Sequence, residues 1–164
     1  MATLTGPRAA STFPVPSLAS TAGVLQVAWG YYNITANPSA GDIYEMCKLP
    51  NGATVIGGYV QAADLDTNAT ETLDLDCGWA ANGAEAADPD GFGNFGVLSG
   101  DAVAEFRPVA GIYLPFTNIV QDVGFKTFAA ETKVIVTATA AAATLTAGTL
   151  KVVVYFVGPG IATP

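Results

Sequence analysis

Residues 73–79 read Leu-Asp-Leu-Asp-Cys-Gly-Trp, and this alternation constrains the fold more than any other stretch of the chain. Leu73, Leu75, Cys77 and Trp79 fall on one side of an extended strand, and Thr72, Asp74 and Asp76 on the other. A helix would mix the two sets; a strand separates them, because its successive side chains point to opposite faces. The segment is therefore expected to be a strand with a core face made by the first set. Asp74 and Asp76 are expected in water.

The same period of two, the mark of strands with one buried face, runs through most of the chain from residue 25 onward. Leu25, Val27, Trp29 and Tyr31 share a face in the first run. Further strands are expected over 43–49 and 54–62, parted by a Pro50-Asn51-Gly52 turn in which glycine accepts a positive φ. Others are expected over 111–114, 119–128, 133–139 and 149–157. Ala140–Ala143 is too short for a stable helix and is expected to be a hairpin connection. Residues 80–110 carry clusters of turn residues, among them Asp88-Pro89-Asp90-Gly91. They are the least regular part of the chain and are expected to form a long, structured excursion with one short helix or strand near Ala102–Phe106. About eight strands with no βαβ alternation predict an all-β fold, a two-sheet antiparallel sandwich with an eight-stranded jelly roll as the leading form. An immunoglobulin-like sandwich is the rival, but no Trp lies between Cys47 and Cys77.

Residues 1–23 hold Pro7, Pro14 and Pro16 amid Ser, Thr and Ala, with no sustained period. They read as an extended N-terminal arm before a sandwich domain at 24–158, with a C-terminal tail at 159–164. Phe13, Val15 and Leu18 are the arm's candidate anchors to a neighbour. Phe92 and Phe95, flanked by glycines, are expected to plug a pocket, on this subunit or on the next. The N-terminus lacks the apolar stretch of a signal peptide, and no window has the length of a transmembrane helix, so synthesis in a cytoplasm and reduced, buried Cys47 and Cys77 are expected.

Composition narrows the function. The 164 residues are 51% hydrophobic and only 12% charged, and mean hydropathy is +0.40. So few charges predict that part of the apolar surface is covered by other subunits. The net charge of −8 and the scattered placement of the six Lys and Arg argue against nucleic acid and anionic membranes as partners. With no histidine, the Ser-His and Cys-His nucleophile pairs and the usual catalytic zinc sites are gone. Asp74 and Asp76, roughly 7 Å apart on one strand face, overlap the spacing of an inverting glycosidase. A catalytic acid needs an enclosed site to raise its pKa, however, and a solvent face does not supply one. Asp64-x-Asp66-x-Asn68 begins like a calcium loop but has Ala69 and Leu75 where that loop needs Gly and Glu. It reads as turn chemistry, as does Asp88-Pro89-Asp90-Gly91 with Asn94. No catalytic residue, metal or cofactor is expected.

Several of these segments together resemble a family of tailed-phage virion structural proteins. The resemblance lies in Gly41-Asp42-Ile43-Tyr44, Cys47-Lys48-Leu49-Pro50-Asn51-Gly52-Ala53 and Val55-Ile56-Gly57-Gly58-Tyr59. It continues through Asp64-Leu65-Asp66-Thr67, Leu73–Trp79 and the closing Thr146-Ala147-Gly148-Thr149-Leu150-Lys151-Val152-Val153-Val154. The matches span residues 41–79 and 132–157. The resemblance implies a jelly-roll capsid decoration, or cement, protein with no catalytic residues. Such a protein would be a trimer on the outer surface of a phage head, partnered with the major capsid protein shell and with itself. Two other readings stand beside it. One is a receptor- or glycan-binding knob of a head or tail fibre, exposing Trp29, Tyr32 or Trp79. The other, remote, is a carboxylate-dependent glycoside hydrolase.

Overall fold

The computed structural model describes residues 1–14, 24–97, 112–117 and 125–158. Among these are ten strands and no helix: β1 (Thr3–Thr5), β2 (Leu25–Ile34), β3 (Ile43–Leu49), β4 (Thr54–Ala62), β5 (Asp74–Trp79), β6 (Asp88–Val97), β7 (Ile112–Pro115), β8 (Lys126–Thr127), β9 (Thr132–Ala140) and β10 (Gly148–Val157). One sheet runs β1-β3-β9-β5-β6 and the other β2-β10-β4-β7, with β8 also paired to β4. Every pairing is antiparallel except that of β1 with β3. With β1 set aside and β7 and β8 taken as one broken strand, eight strands remain in two sheets of four. This is the jelly roll the alternation predicts. The strand expected over 119–128 is described only at its end, as β8, and the element expected over Ala102–Phe106 lies outside the described residues.

The core lies between the sheets. Leu73, Leu75, Cys77 and Trp79 all point into it, as their spacing requires, against Val134, Val136 and Ala138 of β9. Fully burying one Leu or Val contributes about 1.5–3 kcal/mol, so this layer outweighs any local preference. In β3 the register slips between Glu45 and Cys47, which lets Met46 and Cys47 both turn inward.

Three expectations are corrected. The glycine-rich runs read as turn clusters are β6, a ten-residue strand. It survives Pro89 and three interior glycines because among the described residues it pairs only with β5, and on an unpaired side a missing N–H costs little. Gly91 is also required there: a Cβ on it would stand 2.1 Å from the Trp79 ring. The Ala140–Ala143 connection is not a hairpin, since β9 and β10 belong to different sheets and the chain crosses between them.

Of the segment expected to be an arm, residues 1–14 are described, and they lie against their own domain. Its β1 adds to its own sheet: the Ala2 N–H donates to Asp42 Oδ1 (2.7 Å), and the Gly6 N–H to the Glu45 carbonyl (2.7 Å). An open edge at β3 and an acceptor on Asp42 are enough to hold an extended segment with few apolar side chains. Finally, Asp76 is not in water. It is 6% exposed, and Ile135 and Thr137 on the same outer face of the β5–β9 pair are buried too.

Candidate functional site

The outer face of the second sheet carries the least expected feature of the surface. Leu25, Val27, Trp29 and Tyr31 do share one face of β2, but that face points away from the core, at 56, 51, 38 and 36% exposure. The inward set is Ala28, Gly30 and Ile34, with Tyr32 partly buried against Tyr44. Small residues face inward because β2 crosses close to β3: a Cβ on Gly30 would fall 1.9 Å from the Met46 carbonyl oxygen. Alternation alone does not say which face is inward, and here the bulky set is the outer one.

The ladder extends this stripe. Leu25, Val27, Trp29 and Tyr31 lie opposite Val157, Tyr155, Val153 and Lys151 of β10, which in turn face Thr54, Gly57, Tyr59 and Gln61 of β4. Trp29 and Tyr31 are nearly parallel, with ring centroids 6.4 Å apart, and Tyr59 and Tyr155 meet at 6.3 Å. In the three strands together Lys151 is the only charged side chain, although acidic residues outnumber basic ones by 14 to 6 in the chain.

Two cations dress the rim. The Arg8 guanidinium lies 4.1 Å from the Trp29 ring centroid and 4.4 Å from that of Phe13, and Lys151 Nζ lies 5.9 Å from Trp29. Such contacts are worth about 0.5–1 kcal/mol at exposed sites. They fold the N-terminal segment over the edge of β2, where Arg8, Phe13, Pro14, Ala28, Trp29, Cys47 and Lys48 line a shallow pocket.

The five candidate contact residues therefore separate. Phe13 sits at this rim. Val15 and Leu18 lie outside the described residues. Phe92 fills its own subunit's core, fully buried, stacked on Phe116 at 4.8 Å and edge-on to Trp79 at 5.2 Å. Phe95 is partly buried against the same core. Arg8, Tyr59, Lys151 and Tyr155 were missed by the sequence reading. The signal for the last three was the outward register of β4 and β10, legible only once the partner strands are known.

The thiols, the carboxylates and the lysines other than Lys151 lie outside β2, β4 and β10. Cys47 and Cys77 are free and buried; burial pushes the Cys47 thiol up to about 12 and Cys77 well above its ordinary value. Asp66 accepts backbone N–H groups from Asn68, Thr72, Leu73, Ala143 and Thr144. Burial opposes its ionisation, but these donors prevail and hold it well below the usual carboxylate range. Its oxygens are thus spent on the connections flanking it. Asp76 goes the other way: burial first, then the charges of Asp74 and Asp90, push it up to about 6. That is the pKa of a catalytic acid, but the burial that raises it also keeps a sugar ring from reaching the carboxyl. Lys48, Lys126 and Lys133 are paired with Glu131, Glu85 and Glu45. Among the described residues no helix is long and apolar enough to cross a membrane.

No family model and no curated protein matches the chain. Solved structures do. A chain of the capsid of Ralstonia phage GP4 aligns with a TM-score of 0.74 at 21% identity, over 96% of this chain and 98% of that one. A chain of the cyanophage Pam1 capsid asymmetric unit aligns with a TM-score of 0.61 at 26% identity, over 91% and 94%. The protein shares its jelly-roll fold, over nearly its whole length, with chains that occur in phage capsids.

Proposed function

We propose that this protein is a non-enzymatic structural component of a phage virion, a decoration or cement subunit seated on the outside of the head. The observation that carries the reading is the apolar outer face of β2, β10 and β4. A lone soluble domain rarely leaves four large apolar side chains in a row along one strand, and such a face marks a surface that another protein covers. The jelly-roll likeness to capsid chains supplies the setting. In this reading the face is buried against neighbouring subunits, in a trimer and against the major capsid protein shell. Arg8 and Phe13 extend the contact at its rim, and the acidic remainder of the surface faces outward.

The glycan-binding alternative needs Trp29, Tyr32 or Trp79 exposed in a groove. Tyr32 and Trp79 are turned to the core, and only Trp29 is open. Quantitative mass spectrometry of purified particles tests the proposal. Hundreds of copies per particle are expected of a shell component, and a few tens or fewer would assign the protein to a fibre instead.

A further inference from the structure

Three oxygens on the first sheet lack the partners that burial demands. Asp74 Oδ1, Asp76 Oδ1 and Thr137 Oγ1 are each shut off from solvent and make no hydrogen bond. They belong together. Asp74 and Asp76 project from one face of β5, two residues apart, and Thr137 stands directly across from Asp76 on β9. Asp76 and Thr137 are 6% and 8% exposed. Folded proteins seldom leave buried polar atoms unpaired, so each one calls for an explanation.

The third side of the place is a bulge in β6. Asp76 pairs with Asn94 but Asp74 with Val97, so β6 carries an extra residue against this part of β5. Gly96 takes a φ of 67° there, a conformation that favours glycine. Bulges re-aim backbone groups, and this one presents the Phe95 backbone to Asp76 as a hydrogen-bond donor. One donor is a poor substitute for the five that Asp66 receives, and Asp76 has a second carboxylate beside it. Among the described residues the lysine ion pairs go to Glu131, Glu85 and Glu45, and none reaches Asp74 or Asp76.

We propose that Asp74, Asp76 and Thr137 form a site for a hard divalent cation of the Ca²⁺ class, on the outer face of the β5–β9 pair beside the β6 bulge. Carboxylate and hydroxyl oxygens suit Ca²⁺ or Mg²⁺ and offer nothing to a soft metal. Two carboxylates match the charge of one divalent ion. Among the described residues no three acidic or thiol side chains converge as a ligand group, so the protein supplies part of the shell and water the rest, which both ions accept. The proton is the cation's rival here, since either one neutralises Asp76.

The test is thermal unfolding of the full chain, stripped with EDTA and measured at neutral pH with increasing CaCl₂ or MgCl₂. A rise in Tm of about 5–10 °C is expected once the cation exceeds its Kd roughly a hundredfold. Asp76→Asn is expected to melt higher than wild type without the cation and to lose the response. Thr137→Val should keep it at higher cation concentration. A Tm indifferent to both salts overturns the site and leaves Asp76 a proton site only. An equal response in wild type and Asp76→Asn also overturns it, because the ion then binds elsewhere. Should Asp76→Asn fail to fold, Asp74→Asn takes its place in the same comparison.

Discussion

Asp66 holds two connections together, and its removal should cost more than that of any other polar side chain in the domain. It lies between β4 and β5, and its carboxylate reaches the β9–β10 connection far along the chain. Oδ2 accepts from Thr72 (2.8 Å), Leu73 (3.2 Å) and Ala143 (2.9 Å), and Oδ1 from Asn68 (3.3 Å) and Thr144 (2.9 Å). Three of these bonds are short, and a hydrogen bond to a charged acceptor contributes about 1.5–3 kcal/mol. Discounted for the water that would reach some of the freed N–H groups, Asp66→Ala should cost about 4 kcal/mol, a large share of a domain's roughly 5–15 kcal/mol. Asp66→Asn keeps one oxygen and turns an amide N–H₂ against at least two donors, so about 2 kcal/mol is expected.

The pH dependence follows from the depressed folded-state pKa. The stabilisation is full above the unfolded value of about 4 and drains away as pH falls below it. Urea unfolding followed by tryptophan fluorescence at neutral pH and near pH 3 reads both effects. If Asp66→Ala stays within about 1 kcal/mol of wild type, the clamp is incidental and the reasoning fails.

Asp76 has the opposite sign. Its folded pKa of about 6 lies above the unfolded value, so without bound cations wild-type stability is highest at mild acid and falls as pH rises from about 4 to 6. Asp76→Asn should therefore gain about 1–2 kcal/mol at pH 7, after allowance for solvent screening, and nothing at pH 4; chemical denaturation at the two pH values measures it. Deleting residues 2–14 removes β1 and its bonds to Asp42 and Glu45. The loss should be about 2 kcal/mol, a fall in Tm of roughly 5 °C by calorimetry. An unchanged Tm would favour the free-arm reading of the N-terminus.

Much of the fold was legible because β4, β5, β9 and β10 have one face or both in the core, and their apolar residues recur with the period of a strand. The core side of β5 followed directly. What failed to follow depends on partners remote in sequence. The bulky set of β2 faces out because the backbone of β3 comes too close at Gly30 for anything larger inside, which no local pattern reveals. Asp76 looked solvated because alternation gives a strand two faces and does not say that the second is covered. Glycines in β6 looked like turns; Gly91 is the clearance for Trp79 and Gly93 that for Phe95. Phe13 was singled out for its size, while Arg8, which actually bridges it to Trp29, looked like one more solitary cation.

Oxidative footprinting tests most directly whether the outer face of β2 is covered in the particle. Hydroxyl radicals generated around purified virions and around the free protein modify accessible Trp and Tyr side chains, and peptide mass spectrometry reads the extent at each. Trp29, Tyr31 and Tyr155 are expected to be labelled in the free protein and protected at least about fivefold in the virion, a ratio set by the near-complete burial expected at the centre of a protein interface. Equal labelling of these three in both states would contradict this, and the apolar face would then be open surface.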